Sequence, residues 1–226
     1  MPLALTGCLA GAGLLAGWPQ RAAVARLAVP DARIWPEALV PGAVTAVLLA
    51  LLALRVPASG SGLVLAAACW LAVCAVPLVF TDLAVTRLPD PLTAAAYTGV
   101  VILLLAAAFT APGTDAHGAS WGALARAVLG GLALAGCYLL LMIISPSGMS
   151  LGDVKLAASL GTLLAWFGWR VLIAGGAAGF LLGGLGGVVL LASRRADRKQ
   201  LIPFGPFMMA GAFLAVLTLP FLVTGR

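Results

Sequence analysis

Proline, glycine and polar clusters divide the chain into eight apolar runs, and no other feature restricts its fold so severely. The runs cover residues 3–18, 38–54, 62–80, 92–110, 122–144, 154–169, 171–192 and 205–223. A helix that crosses the hydrocarbon core of a bilayer needs about 20 apolar residues, within a range of roughly 17–25. Inside that core every backbone N–H and C=O must be paired within its own segment, which leaves the helix as the solution for separate runs of this length. The expected fold is all-α: a polytopic membrane protein with about eight transmembrane helices. Turn formers separate the runs, at Pro19, Pro30, Pro36 and Pro41, Pro57 to Gly62, Pro89 and Pro91, Pro112 and Gly113, and Pro146 to Gly148.

Composition excludes the soluble classes. Of 226 residues, 63% are hydrophobic and only 9% are charged, against about 45–50% and about 25% in soluble domains. So few charges cannot cover a water-soluble enzyme, a disordered tail or a nucleic-acid-binding module. The net charge of +6 is read instead as the Lys and Arg excess of cytoplasmic loops. The partner this composition implies is the lipid bilayer, and no nucleic acid is expected.

Cys8, Cys69, Cys74 and Cys137 all lie in apolar runs, where a free thiol behaves as a small hydrophobe. They form no C-x-x-C, so neither a zinc knuckle nor a disulfide framework is indicated. The single histidine, His117, stands beside Asp115 in a loop and reads as loop polarity. No metal and no cofactor is expected. The first run lacks a basic start and reads as an uncleaved span rather than a signal peptide. Gly175, Gly179, Gly183 and Gly187, with Gly7 and Gly11 and with Gly13 and Gly17, form small-residue rows that let helix backbones approach closely.

Orientation follows from the basic residues. With eight spans and an outside N-terminus, the inside connections hold Arg21, Arg26, Arg33, Arg87, Lys155, Arg194, Arg195, Arg198 and Lys199, and the outside ones Arg55, Arg126, Arg170 and Arg226. This arrangement puts the connections around 81–91 and 145–155 on one cytoplasmic face.

Among the seven acids, Asp31, Glu37, Asp115 and Asp197 lie in polar connections and read as solvated or as charge anchors. Asp82 and Asp153 stand at the edges of apolar runs, where an ionisable group is costly and a functional hypothesis by default. Asp153 alone also reads as a helix cap. Together, on the same predicted face, the two can converge across 71 positions. Two carboxylates sharing a site cannot both ionise easily, so one keeps a proton while the other acts as a base, and such a pair activates water for attack on a peptide carbonyl without Ser, His or metal. Helix-end polarity favours the charge on Asp153, at a helix start, and the proton on Asp82, at a helix end, although such a pair titrates jointly.

The segments Asp82 to Thr93 (DLAVTRLPDPLT) and Gly148 to Leu156 (GMSLGDVKL) resemble the two signatures of type IV prepilin peptidases, GxGD-type aspartic intramembrane peptidases of bacteria. Ile202-Pro203-Phe204-Gly205-Pro206-Phe207 is similar to the family's segment before its last span. Order and spacing agree over roughly 62–223. The resemblance implies that Asp82 and Asp153 are catalytic and that Gly152, Lys155 and Gly148 support the motif. Leu88-Pro89-Asp90 fall on motif positions without an inferred role. Ser150 departs from the family's first glycine, and serine resists backbone conformations that glycine adopts.

Members that also N-methylate the new terminus carry paired C-x-x-C zinc motifs after the first span. The stretch Trp18 to Glu37 has no Cys, so the resemblance implies a peptidase-only form without a methyl-donor site. It further implies prepilin or pseudopilin leader peptides as substrates, cleavage at the cytoplasmic face after a glycine, and residence in the bacterial cytoplasmic membrane as a multi-pass protein. The expected division is residues 1–61, N-terminal transmembrane helices with a short cytoplasmic loop, and 62–226, the catalytic unit. A small-solute or proton-coupled transporter is the alternative. It would place its acids near the midplane of a repeated architecture, whereas these acids stand at run ends and no internal repeat is evident.

Overall fold

A computed structural model describes residues 2–27, 37–56, 62–110, 121–144, 149–192 and 203–224. These residues form eight helices and no strand: α1 (Pro2–Leu27), α2 (Leu39–Arg55), α3 (Gly62–Val85), α4 (Asp90–Thr110), α5 (Trp121–Ile144), α6 (Leu151–Phe167), α7 (Trp169–Ala192) and α8 (Gly205–Thr224). Each apolar run is a helix. Among the described residues α3, α4, α5 and Trp169–Val189 of α7 are each long and apolar enough to cross a bilayer unaided, while α2 and Gly205–Thr218 of α8 are apolar but shorter. The chain is an all-α polytopic membrane protein.

Consecutive helices pair as antiparallel hairpins, α1 with α2, α5 with α6 and α7 with α8. Helix α6 is the hub, packed against α3, α4, α5, α7 and α8. Twelve of its 17 residues are buried, so its surroundings are protein rather than lipid. Close approach to α5 depends on Gly161, where a Cβ would stand 2.7 Å from the Gly130 carbonyl oxygen. At the far end of α6 the Arg126 guanidinium donates to the Ala165 and Trp166 carbonyls, both at 2.7 Å, pairing two of the carbonyls that a helix end leaves open.

Three glycines of the α7 row pack as expected. Gly175 meets Leu164 and Ala215, Gly179 meets Met208, and Gly183 meets the Phe204 ring. On α1 the expectation divides. Gly13 and Gly17 lie against α2, but Gly7 and Gly11 face open space.

Two boundaries differ from the sequence reading by more than three residues. Helix α1 continues through Pro19 to Leu27, so Arg21 and Arg26 are helical rather than in a loop, and Trp18 to Leu27 belongs to α1. A membrane helix tolerates an internal proline where neighbouring groups pair the backbone it frees. Helix α3 likewise runs past residue 80 to Val85, so Asp82 lies within the helix rather than after it. The next helix breaker is Pro89, which restricts Leu88 before it.

Pro77 inside α3 has no N–H for the Val73 carbonyl. Gln20 of α1 takes that place, its amide donating to Val73 O and to Thr45 Oγ1, each at 3.0 Å. The Thr45 hydroxyl is placed to donate to Gln20 Oε1 or to the Pro41 carbonyl. A buried polar cluster thus ties α1 and α2 to the helix that carries Asp82.

Candidate active site

The carboxyl-terminal end of α3 and the amino-terminal ends of α4, α6 and α8 meet at one face of the bundle. The contacts that join them are Asp82 with Gly205, Leu88 with Gly152 and with Gly205, and Asp90 with Lys155. Asp82 and Asp153, 71 positions apart, are both buried there, at 4% and 5% exposure, and interact electrostatically.

Asp153 is the third residue of α6. Its backbone N–H donates to Ser150 Oγ at 3.4 Å, and its Oδ2 accepts the Ser150 N–H at 2.8 Å and the Ser150 hydroxyl at 2.9 Å. This reciprocal arrangement is a capping box. Ser150 adopts φ −109° and ψ 160°, an extended conformation open to any residue, so no glycine is needed there. The capping role considered for Asp153 is real, but it uses only one carboxylate oxygen. Asp153 Oδ1 is buried and has no hydrogen-bond partner among the described residues. Buried polar atoms are paired in the great majority of cases, and an exception calls for a reason.

Asp82 is held from a helix it does not belong to. Its Oδ2 accepts the Gly205 N–H at 3.0 Å, a donor that α8 leaves open at its first turn. The helix-end contrast drawn from sequence is therefore incomplete, because each carboxylate receives backbone N–H donation at a helix start. A Cβ at Gly205 would stand 2.9 Å from Asp82 Oδ2, so glycine allows the backbone to come this close. The segment is fixed by Phe204. Its ring lies on Gly183 of α7 and near the Tyr138 and Phe180 rings, with centroids 5.9 and 6.4 Å away. Tyr138 of α5, in turn, is buried.

Gly152 lies beside Asp153 because Leu88 fills the space a side chain would need. A Cβ at Gly152 would meet Leu88 Cβ at 2.7 Å. Lys155 points outward and pairs with Asp90 at 2.6 Å. Gly148 lies outside the described residues. The structure thus brings together Asp82, Asp153, Gly152 and Lys155. It adds Gly205, Leu88, Asp90, Phe204 and Tyr138, whose parts were not read from sequence. The segment from Ile202 to Phe207 had matched a family motif, and that match was the available signal for Gly205. Among the described residues no three His, Cys, Asp or Glu side chains gather where they could hold a metal ion.

The arrangement provides two buried carboxyl groups in mutual electrostatic reach, one with an oxygen that has no partner among the described residues, at an end of a membrane bundle. Such a pair can take a proton from water and give one to a carbonyl oxygen.

The chain is similar to the prepilin leader peptidase/N-methyltransferase of Aeromonas hydrophila, with 33% identity over 142 residues, 63% of this chain and 46% of that protein. It is similar also to the proteins of the same description from Pseudomonas aeruginosa, 38% identical over 96 residues, and Pseudomonas putida, 40% identical over 96, each match covering 42% of this chain and 32% of the relative. The chain spans less than half the length of these curated relatives. No family model and no solved structure matches it.

Proposed function

From its similarity to prepilin leader peptidase/N-methyltransferases, we propose that the chain is a membrane aspartic endopeptidase that removes leader peptides from prepilin-like substrates, with Asp82 and Asp153 as the catalytic pair. The observation that carries this reading is Asp153 Oδ1, buried near a second buried carboxyl group and without a hydrogen-bond partner among the described residues. One carboxylate takes a proton from water as the oxygen bonds to the peptide carbonyl carbon, and the other carboxyl gives its proton to the carbonyl oxygen. The tetrahedral intermediate then collapses: the C–N bond breaks, the nitrogen leaves with the proton first taken from water, and the other carboxylate regains a proton from a hydroxyl of the intermediate. The products are a leader carboxylate and a new amino terminus.

In this reading the catalytic unit is residues 62–226, with α1 and α2 as a supporting pair, and the face with the four helix ends lies toward the cytoplasm of a bacterial inner membrane. Prepilins and pseudopilins are the substrate class. The absence of Cys between Trp18 and Glu37 supports peptidase action without methyl transfer, since tetrahedral structural zinc takes about four Cys or His ligands.

Co-expression with candidate prepilins, read by gel shift of the processed product, tests the reading. Cleavage by the parent, absent in both Asp82→Asn and Asp153→Asn, is expected. Substantial processing by either amide variant would remove the aspartic mechanism. Purified enzyme is expected to cleave in EDTA and without S-adenosylmethionine, giving an unmethylated product by mass. Loss of cleavage on chelation that zinc restores would overturn that part.

A further inference from the structure

We propose that the Asp90–Lys155 ion pair and Leu88 are positioning elements that set the two carboxyl groups against each other, the pair clamping Leu88 into the gap between Gly152 and Gly205. The proposal rests on the aspartic-peptidase reading for its catalytic consequence, but the clamp itself is a matter of geometry.

Leu88 is buried, although it lies in the short connection between α3 and α4. Its Cβ faces Gly152, one residue before Asp153. Its Cδ2 would lie 3.5 Å from a Cβ at Gly205, the residue whose N–H holds Asp82. One leucine side chain therefore touches the backbone next to Asp153 and the glycine whose N–H holds Asp82, and its bulk sets the spacing of the two acids.

Two features hold it there. Thr86, two residues earlier, has φ 49°, a left-handed conformation that a β-branched residue keeps only where its surroundings enforce it. Asp90, two residues later, accepts a hydrogen bond from Lys155 Nζ at 2.6 Å. Lys155 follows Asp153 by two positions, so the ion pair ties the start of α4, where the α3–α4 connection ends, to the part of α6 that bears the acid.

The side chains of Lys155 and Asp90 are 50% and 73% exposed. Exposed pairs contribute little to global stability, so the consequence of this one is local geometry. Exposure also makes the clamp sensitive to salt. The screening length falls from about 10 Å at 0.1 M to about 3 Å at 1 M.

The test uses the full chain with its four cysteines replaced and Leu88→Cys introduced, so that the rate of maleimide labelling reports whether position 88 is seated. Protection at low salt is expected, with labelling at least tenfold faster in Asp90→Asn or Lys155→Gln. The exchanged pair, Asp90→Lys with Lys155→Asp, is expected to restore protection to within threefold. With Leu88 intact, the single variants should lower kcat tenfold or more with KM within twofold, and the exchange should recover most of it. Raising the salt to 1 M should lower kcat in the parent and leave the single variants unchanged.

Equal labelling with and without the pair would overturn the clamp whatever the enzyme does. So would single variants with parental kcat, an effect confined to KM, or an exchange that folds without recovering. If position 88 follows the pair while the parent cleaves no prepilin, the peptidase reading fails and the clamp stands.

Discussion

Two buried polar clusters lie within the bundle, and they are built to opposite rules. Around Gln20, the Val73 carbonyl that Pro77 leaves open is paired, and Thr45 is bonded on both sides. Around Asp153, the capping box satisfies Oδ2 and leaves Oδ1 with no partner among the described residues. An unpaired buried polar atom costs about 1–3 kcal/mol, and more when charged. The closed cluster holds helices together and has no capacity left for anything else. The open one keeps an acceptor free in a place where freedom is expensive, which is where chemistry is to be sought.

Asp82→Asn and Asp153→Asn give the widest separation between the clusters. Each is expected to lower the initial rate on a synthetic leader peptide by about 10²–10⁴-fold, the usual contribution of a positioned acid or base, with the fold retained in detergent. A folded amide variant with near-parental rate would erase the distinction. Gly205→Ala comes next. Its Cβ would press on Asp82 Oδ2 at 2.9 Å, and misplacement by about 1 Å can cost about 10²-fold. A loss of roughly 10- to 100-fold in kcat is expected, measured with the same peptide.

Gln20→Leu should behave in the opposite way, with peptide cleavage near the parental rate but resistance to denaturation in SDS titration reduced by about 1–3 kcal/mol as Val73 O loses its donor. A fall in rate greater than the fall in folded fraction would show that the closed cluster reaches the site. The smallest effects belong to the cap. Ser150→Ala should cost about 1 kcal/mol in the same titration and Ser150→Gly only a few tenths. A larger penalty for glycine would mean that the extended conformation of Ser150 needs a side chain.

The sequence made the helices legible because hydrocarbon admits few alternatives, and all eight runs are helical. Helix ends were harder to read. Pro19 and the polar pair Thr81-Asp82 looked like stops, but α1 and α3 continue through them. The two acids were readable from their cost at run edges. How they are held was not. The N–H of Gly205 reaches Asp82 across 123 positions, and a backbone donor leaves no mark of its own in a sequence. Leu88 looks like any other leucine until packing places it between two glycines. Ser150 shows the reverse. It departs from a motif, yet its hydroxyl and extended backbone form the capping box that a glycine at this position could only partly replace.

Helix α6 has 17 residues and α5 has 24, which at about 1.5 Å per residue makes them about 25 and 36 Å long. The overhang occurs at both ends. Arg126, five residues into α5, reaches the last carbonyls of α6, and Gly131 lies against Ala158 and Thr162, a register that brings Tyr138, six residues before α5 ends at Ile144, level with Asp153. The end of α5 therefore stands about 9 Å beyond the level of Asp153, and in the proposed reaction a peptide bond descends to that depth to be cut. A substrate segment that arrives as a helix has its carbonyls engaged by its own N–H groups. In the proposed reaction its terminal turns come apart on the way down, and the energy needed to unwind them becomes part of what would decide which segments are cleaved.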